Sequence, residues 1–112
     1  MRHRICELRH YTPSLGRGAE LLARFRDISI PMMLQYGIAI KQFWREPSTE
    51  HIWYIIEWPD LDTRKTSWTR FMKSEDWAEA RAKTEQNGSL VERVDVTFLE
   101  EPFEFDQHDE SN

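Results

Sequence analysis

Four short segments of the chain show the alternating or mostly apolar pattern of β-strands. They cover residues 5–12, 38–45, 51–58 and 90–99. Pro13 and Pro59 follow the first and third segments and end them, because proline cannot donate the hydrogen bond that a central strand needs. The polar segment 46–50 suits a hairpin loop, so the second and third strands are predicted to pair as neighbours.

A long helix is predicted between the first and second strands. Apolar residues recur every three or four positions from Leu15 to Tyr36, and Gly37 is a typical C-terminal stop. Pro31 lies inside this pattern. Because proline removes one helical hydrogen bond and clashes with the preceding turn, we expect a kink or a break near Ile30.

Residues 60–86 are predicted to form two consecutive helices. Asp62 is the predicted N-cap of the first helix, and Ser74 begins the second. The order of elements is therefore β-α-β-β-α-β. This order predicts an α+β, ferredoxin-like fold, in which a four-stranded antiparallel sheet carries its helices on one face.

Both faces of the predicted sheet carry apolar side chains. In the third strand, the residues that alternate between the faces are Ile52, Tyr54, Ile56 and Trp58 against Trp53 and Ile55. The helices can cover only one face, so a second copy of the same sheet is predicted to cover the other in a homodimer. Four charged residues of strands one and four are expected to share that uncovered face and to form charge pairs across the sheet or the dimer. They are Glu7, Arg9, Arg93 and Asp95.

The acidic charge of the chain is concentrated at its C-terminus. The net charge is −5, but residues 100–112 contain six acidic side chains and no Lys or Arg. The remainder has 15 basic and 14 acidic side chains, which argues against a nucleic-acid partner. We therefore predict a domain over residues 1–103 and an acidic, flexible tail over residues 104–112.

Cys6 is the only cysteine, so the chain cannot form an internal disulfide or a zinc site built on several thiolates. No apolar run approaches the ~20 residues that a membrane span needs. These observations predict a soluble protein of a reducing compartment, most simply the cytoplasm.

Several short motifs, in their order and spacing, resemble the NIPSNAP family. They are Glu7-Leu8-Arg9-His10-Tyr11-Thr12, Gly16, Pro31, Gly37, Phe43-Trp44, His51-Ile52-Trp53-Tyr54, Trp58-Pro59-Asp60-Leu61 and Ser74-Glu75-Asp76-Trp77. The resemblance implies a dimeric α/β barrel made of two ferredoxin-like chains packed sheet to sheet. It implies no settled activity, because the wider superfamily includes cofactor-free monooxygenases, haem-degrading enzymes, isomerases, cyclases and stress-response proteins.

The candidate site is a cleft between helices and sheet. His10 and Tyr54 are the candidate catalytic residues, since a strand histidine can serve as a general base and a tyrosine can donate to an oxyanion. Four residues are expected to line a pocket for a small aromatic or carboxylate ligand: Trp53, Trp68, Arg64 and Tyr36. The histidine spacings contain no local metal motif, so neither a metal nor a cofactor is predicted.

Three functions remain open from the sequence. The first is a cofactor-independent enzyme, similar to a monooxygenase or an isomerase, acting on an aromatic or polyketide-like substrate. The second is a non-catalytic binding or scaffold homodimer, and the third is haem binding through a histidine.

Overall fold

The computed structural model describes residues 4–105. Its strands are β1 (Ile5–Pro13), β2 (Ile40–Arg45), β3 (Ile52–Trp58) and β4 (Val91–Glu100). Its helices are α1 (Gly18–Arg24), α2 (Ile30–Gln35), α3 (Leu61–Lys73) and α4 (Glu75–Thr84), with a π-helical turn, Phe25–Ser29, between α1 and α2. The strands pair antiparallel in the order β2-β3-β1-β4, which confirms the ferredoxin-like α+β fold. None of the helices within residues 4–105 has the length and apolarity to cross a membrane.

The first helical region begins later than its apolar pattern predicts. Leu15 is 98% exposed and lies outside the helix, which starts at Gly18. Gly16 has a φ of +73°, a left-handed conformation that favours glycine, and it lies in a turn closed by the Arg17 N–H bonding to the Ser14 carbonyl. This turn, rather than a helix, therefore connects β1 to α1.

The predicted disturbance at Pro31 takes the form of the π-helical turn. Pro31 is the second residue of α2, and Ser29 before it is already helical, so the proline lies within a continuous helical path. The wider turn at Phe25–Ser29 comes immediately before it, so the helical path changes its hydrogen-bond pattern without ending. The prediction near Ile30 was therefore right in position, and the change is a π-turn.

The cap of α3 differs from the prediction. Asp60, not Asp62, is the N-cap: its backbone is extended and its carboxylate accepts a hydrogen bond of 2.7 Å from the Thr63 N–H. Asp62 lies inside the first turn, where its backbone is already helical. The predicted restart at Ser74 is confirmed, since its hydroxyl accepts a 3.2 Å bond from the Trp77 N–H.

The register of the sheet separates the charged residues that were expected on one face. Residues directly opposite one another share a face, and Glu7 is opposite Ile56 and Phe98, whereas His10 is opposite Trp53 and Asp95. The face of Glu7 lies under the helices; we call it the inner face, and the face of His10 the outer face.

Glu7 and Arg9 are therefore on the inner face, where they are 0% and 8% exposed, while Arg93 and Asp95 are on the outer face. The expectation that all four share the uncovered face was wrong. The physical reason is that Glu7 finds buried hydrogen-bond donors, which compensate the cost of removing its charge from water.

Candidate functional site

Glu7 is the centre of a buried hydrogen-bond network on the inner face. Its carboxylate accepts bonds from Trp58 Nε1 at 2.9 Å, from Arg9 at 2.7 Å, and from Arg64 Nε and the Arg64 terminal nitrogen at 3.0 Å each. Burial raises the pKa of Glu7, but the hydrogen bonds from Arg64, Arg9 and Trp58 outweigh burial and leave the pKa below its ordinary value. Glu7 is therefore an anion that holds Arg9 in place.

Arg9 connects this network to two tyrosines. Its Nε donates to the Tyr11 hydroxyl at 3.1 Å, and that hydroxyl lies 2.9 Å from the Tyr54 hydroxyl. Burial, followed by the neighbouring Tyr11, raises the pKa of Tyr54 well above its ordinary value, so its hydroxyl stays protonated. The indole of Trp68 covers the Arg9 guanidinium at 4.3 Å. The group is thus a cation with two hydroxyls beside it.

A cavity of about 310 Å³ opens over this group, between the helices and the inner face. Among its lining residues are Arg9, Tyr11, Arg24, Tyr54, Trp68 and Trp77. Within residues 4–105, two buried side-chain nitrogens have no protein partner, Arg24 Nε and Trp77 Nε1, and both residues line this cavity. Arg24 uses its terminal nitrogen to bind Glu85 at 2.8 Å. The cavity therefore combines aromatic walls with hydrogen-bond donors, which suits a ring that carries an anionic oxygen.

The structure divides the sequence-predicted site residues between the two faces of the sheet. Tyr54 and Trp68 line the cavity. Arg64 is next to it, over the Trp68 ring at 5.5 Å, but the carboxylate that it binds is the chain's own Glu7. Tyr36 packs beside Phe71 with ring centres 6.0 Å apart, outside the residues that line the cavity.

His10 and Trp53 lie on the outer face, away from the cavity. The expectation of one cleft shared by His10 and Tyr54 was therefore wrong. Tyr54 is directly opposite Arg9 and shares its face of the sheet, whereas His10, the next residue of β1, projects to the other face.

A second group of polar residues surrounds His10 on the outer face. His10 Nε2 lies 2.9 Å from His51 Nδ1, and the His10 ring stacks on Trp53 with centres 3.9 Å apart. The Glu46 carboxylate accepts bonds from Trp53 Nε1 at 2.5 Å and from the Thr49 hydroxyl at 2.6 Å. The ligand atoms of His10, His51 and Glu46 all lie within 4.8 Å of one another, although no local histidine spacing indicated such a group.

Comparison with known proteins decides the family. A sequence profile described as NIPSNAP matches residues 6–105. The chain belongs to the NIPSNAP family. No protein with a curated description matches it significantly.

Solved NIPSNAP structures have the same fold. An uncharacterised NIPSNAP-like domain protein from Burkholderia xenovorans superposes with a TM-score of 0.79 at 18% identity, covering 96% of this chain and 92% of that one. A NIPSNAP family protein of unknown function from Agrobacterium tumefaciens gives 0.76 at 19% identity, covering 89% of each chain. A putative antibiotic biosynthesis monooxygenase from Bordetella bronchiseptica gives 0.64 at 16% identity, covering 91% and 100%. At these identities the similarities establish the fold only.

Arg9 and Arg24 are the cavity residues of this NIPSNAP chain that the sequence-based reasoning missed. The alternation of β1 does place Arg9 on the same face as Tyr11, but its charge suggested an exposed position. Arg24 occupies a helix position between apolar residues and is only 7% exposed. A basic residue on an apolar helical stripe is the one signal that would have identified it.

Proposed function

We propose that the inner-face cavity binds a small aromatic or polyketide-like anion and, as a cofactor-independent enzyme of the monooxygenase or isomerase type, stabilises negative charge on the oxygen of that ligand. The observation that carries the proposal is the buried Arg9, which Glu7 fixes at the base of an aromatic cavity beside the Tyr11 and Tyr54 hydroxyls. Donors that are already in place stabilise developing charge at little reorganisation cost.

Two further observations support this function. Arg24 also lines the cavity, so a second guanidinium lies in the wall that would surround an anionic oxygen. The putative antibiotic biosynthesis monooxygenase of Bordetella bronchiseptica has a similar fold, so the fold is compatible with a monooxygenase function.

We also propose that the chain works as a homodimer through its outer face. Trp44 and Leu99 on this face are 46% and 47% exposed. Ile55 and Leu8 lie between them on the same outer face, in the two central strands β3 and β1. A second sheet packed against this face would bury these side chains. We further propose a reducing, cytoplasmic location for the chain, in keeping with its single cysteine, Cys6.

Fluorescence titration tests binding, because Trp68 and Trp77 line the cavity. The probes are 1-naphthoate and its neutral amide, which differ in charge and little in shape. We expect the carboxylate to bind more tightly than the amide. Arg24→Gln should weaken naphthoate binding by about 10- to 100-fold, the range for losing a charge-assisted hydrogen bond.

Arg26→Gln is the matched control, since Arg26 is two positions along the same helical region, is exposed, and pairs with Asp27. Equal affinities for the acid and the amide, or an unchanged affinity in Arg24→Gln, would contradict an anion site in this cavity. Turnover is tested by incubating the protein aerobically with phenols and β-diketones and analysing the products by mass spectrometry. Binding without any product would favour the non-catalytic homodimer.

A further inference from the structure

We infer that His10, His51 and Glu46 form a mononuclear site for a divalent transition-metal ion on the outer face of the sheet. His10 comes from β1, whereas Glu46 and His51 lie at the two ends of the hairpin loop between β2 and β3. The three side chains lie on the opposite side of the sheet from the cavity, so this inference is independent of the proposed anion site, and they share the outer face with the proposed dimer contact.

The distances already approach those of a metal centre. A tetrahedral ion with metal–nitrogen bonds of about 2.0–2.1 Å separates its ligand atoms by about 3.3 Å. His10 Nε2 and His51 Nδ1 are 2.9 Å apart. One candidate ligand atom from each of His10, His51 and Glu46 lies within 4.8 Å of the other two. The two ring nitrogens face each other with room for one proton, and a cation in that position would interact with both lone pairs. Adjusting these separations to about 3.3 Å completes the site.

Neighbouring residues hold the three candidate ligands in position. Asp95 Oδ2 lies 3.8 Å from His10 Nδ1, the ring nitrogen that faces away from His51. A carboxylate near the distal nitrogen of a ligating histidine fixes its ring orientation and tautomer. Trp53 stacks on the His10 ring and also donates to the Glu46 carboxylate. Trp53 thus contacts both His10 and Glu46 directly, whereas Asp95 is beyond hydrogen-bond distance and acts on His10 through its charge.

The ligand set selects the class of metal. Two imidazoles and one carboxylate suit Zn²⁺, Co²⁺, Ni²⁺, Cu²⁺ or Fe²⁺, whereas Ca²⁺ and Mg²⁺ prefer oxygen ligands alone. Three protein ligands leave at least one coordination position open, which is the arrangement of sites that bind a water or a small ligand on the metal.

Calorimetric titration of the whole chain with Zn²⁺ tests the inference. We expect one ion per chain, and Co²⁺ in its place should give visible absorption bands of imidazole coordination and quench the fluorescence of Trp53. Both His51→Ala and Glu46→Gln should weaken Zn²⁺ binding by at least about 10- to 100-fold, the loss reported for residues that only support a ligand. Glu46→Gln keeps the size of the side chain and one acceptor oxygen for Trp53 Nε1, and circular dichroism of the variant checks that the fold is intact.

The control is the double variant His3→Ala/His108→Ala, which removes the remaining two histidines of the chain. It should bind Zn²⁺ with unchanged affinity and stoichiometry. Absence of Zn²⁺ binding to the wild-type chain would overturn the inference. So would binding that survives both His51→Ala and Glu46→Gln, or binding that is lost only in the control.

Discussion

The guanidinium of Arg64 forms two hydrogen bonds with the carboxylate of Glu7, from Nε to Oε1 and from the terminal nitrogen to Oε2, both 3.0 Å long. The pair joins α3 to the middle of β1 beneath the helices. Because Glu7 is fully buried and also neutralises Arg9, its negative charge supports two cations at once.

Glu7→Gln should therefore destabilise the fold strongly. Glutamine keeps the shape but leaves Arg9 as a buried cation without its counter-charge, and breaking a buried ion pair costs about 3–5 kcal/mol. Urea unfolding followed by circular dichroism measures this loss. Glu57→Gln is the control: Glu57 and its partner Arg4 are 43% and 54% exposed, so that change should cost less than about 1 kcal/mol. Equal losses in the two variants would refute a special role for Glu7.

The same carboxylate predicts a pH dependence. The pKa of Glu7 in the folded chain is below its ordinary value of 4.5, so its contribution to stability is present above that value. The contribution is lost as the pH falls through the folded pKa. The difference in unfolding free energy between the wild type and Glu7→Gln should therefore be largest near pH ~7 and shrink towards pH ~3. A difference that does not change with pH would contradict this assignment.

For Tyr54, in contrast, we expect no change of protonation that would affect ligand binding near neutral pH. Since burial raises the pKa of Tyr54 well above its ordinary value of 10.0, its hydroxyl stays protonated between pH ~7 and ~9. Naphthoate binding should be independent of pH between about 7 and 9. Tyr54→Phe should weaken binding by about 2- to 10-fold, the effect of one neutral hydrogen bond. A loss of binding with a midpoint in that range would point to a tyrosinate instead.

Gly18 and Glu50 are expected to be coupled. A Cβ on Gly18 would lie 2.5–2.8 Å from the Glu50 side chain, and Glu50 has a φ of 65°, which is strained for a residue with a side chain. Gly18→Ala should cost about 1–3 kcal/mol in the wild type. In a Glu50→Gly background the same change should cost less by at least about 1 kcal/mol, because the obstructing side chain is gone. Additive effects in the double-variant cycle would show that the two positions do not interact.

The proposed homodimer predicts a selective response to charge on the outer face. Ile55→Glu places a carboxylate in the centre of that face, so the variant should elute and scatter light as a single chain while the wild type has twice that mass. Leu34→Glu adds the same charge at a residue of α2 that is 62% exposed, and should leave the dimer intact. A wild-type monomer at micromolar concentration would exclude the dimer.

The alternation of β1 was sufficient to predict which of its side chains share a face, but not which face the helices cover. A charged Glu7 suggests a face exposed to water. Its hydrogen bonds with Trp58 and Arg64, more than 50 positions away in the sequence, compensate the free-energy cost of burying its charge. The order of strands and helices depends on local patterns, and it was predicted correctly. The metal-ligating group depends on a meeting of β1 with a distant hairpin, which no spacing within one segment can reveal.

The alternating side chains of β1 also determine which register of β1 against β3 can be stable during folding. A slip of β1 by one position against β3 would move Glu7 and Arg9 out from under the helices and bring His10 in. Such a slipped sheet would leave Arg64 without its carboxylate and place an imidazole among apolar side chains. The buried ion group thus acts against misaligned intermediates, since only one alignment of the strands satisfies its charges.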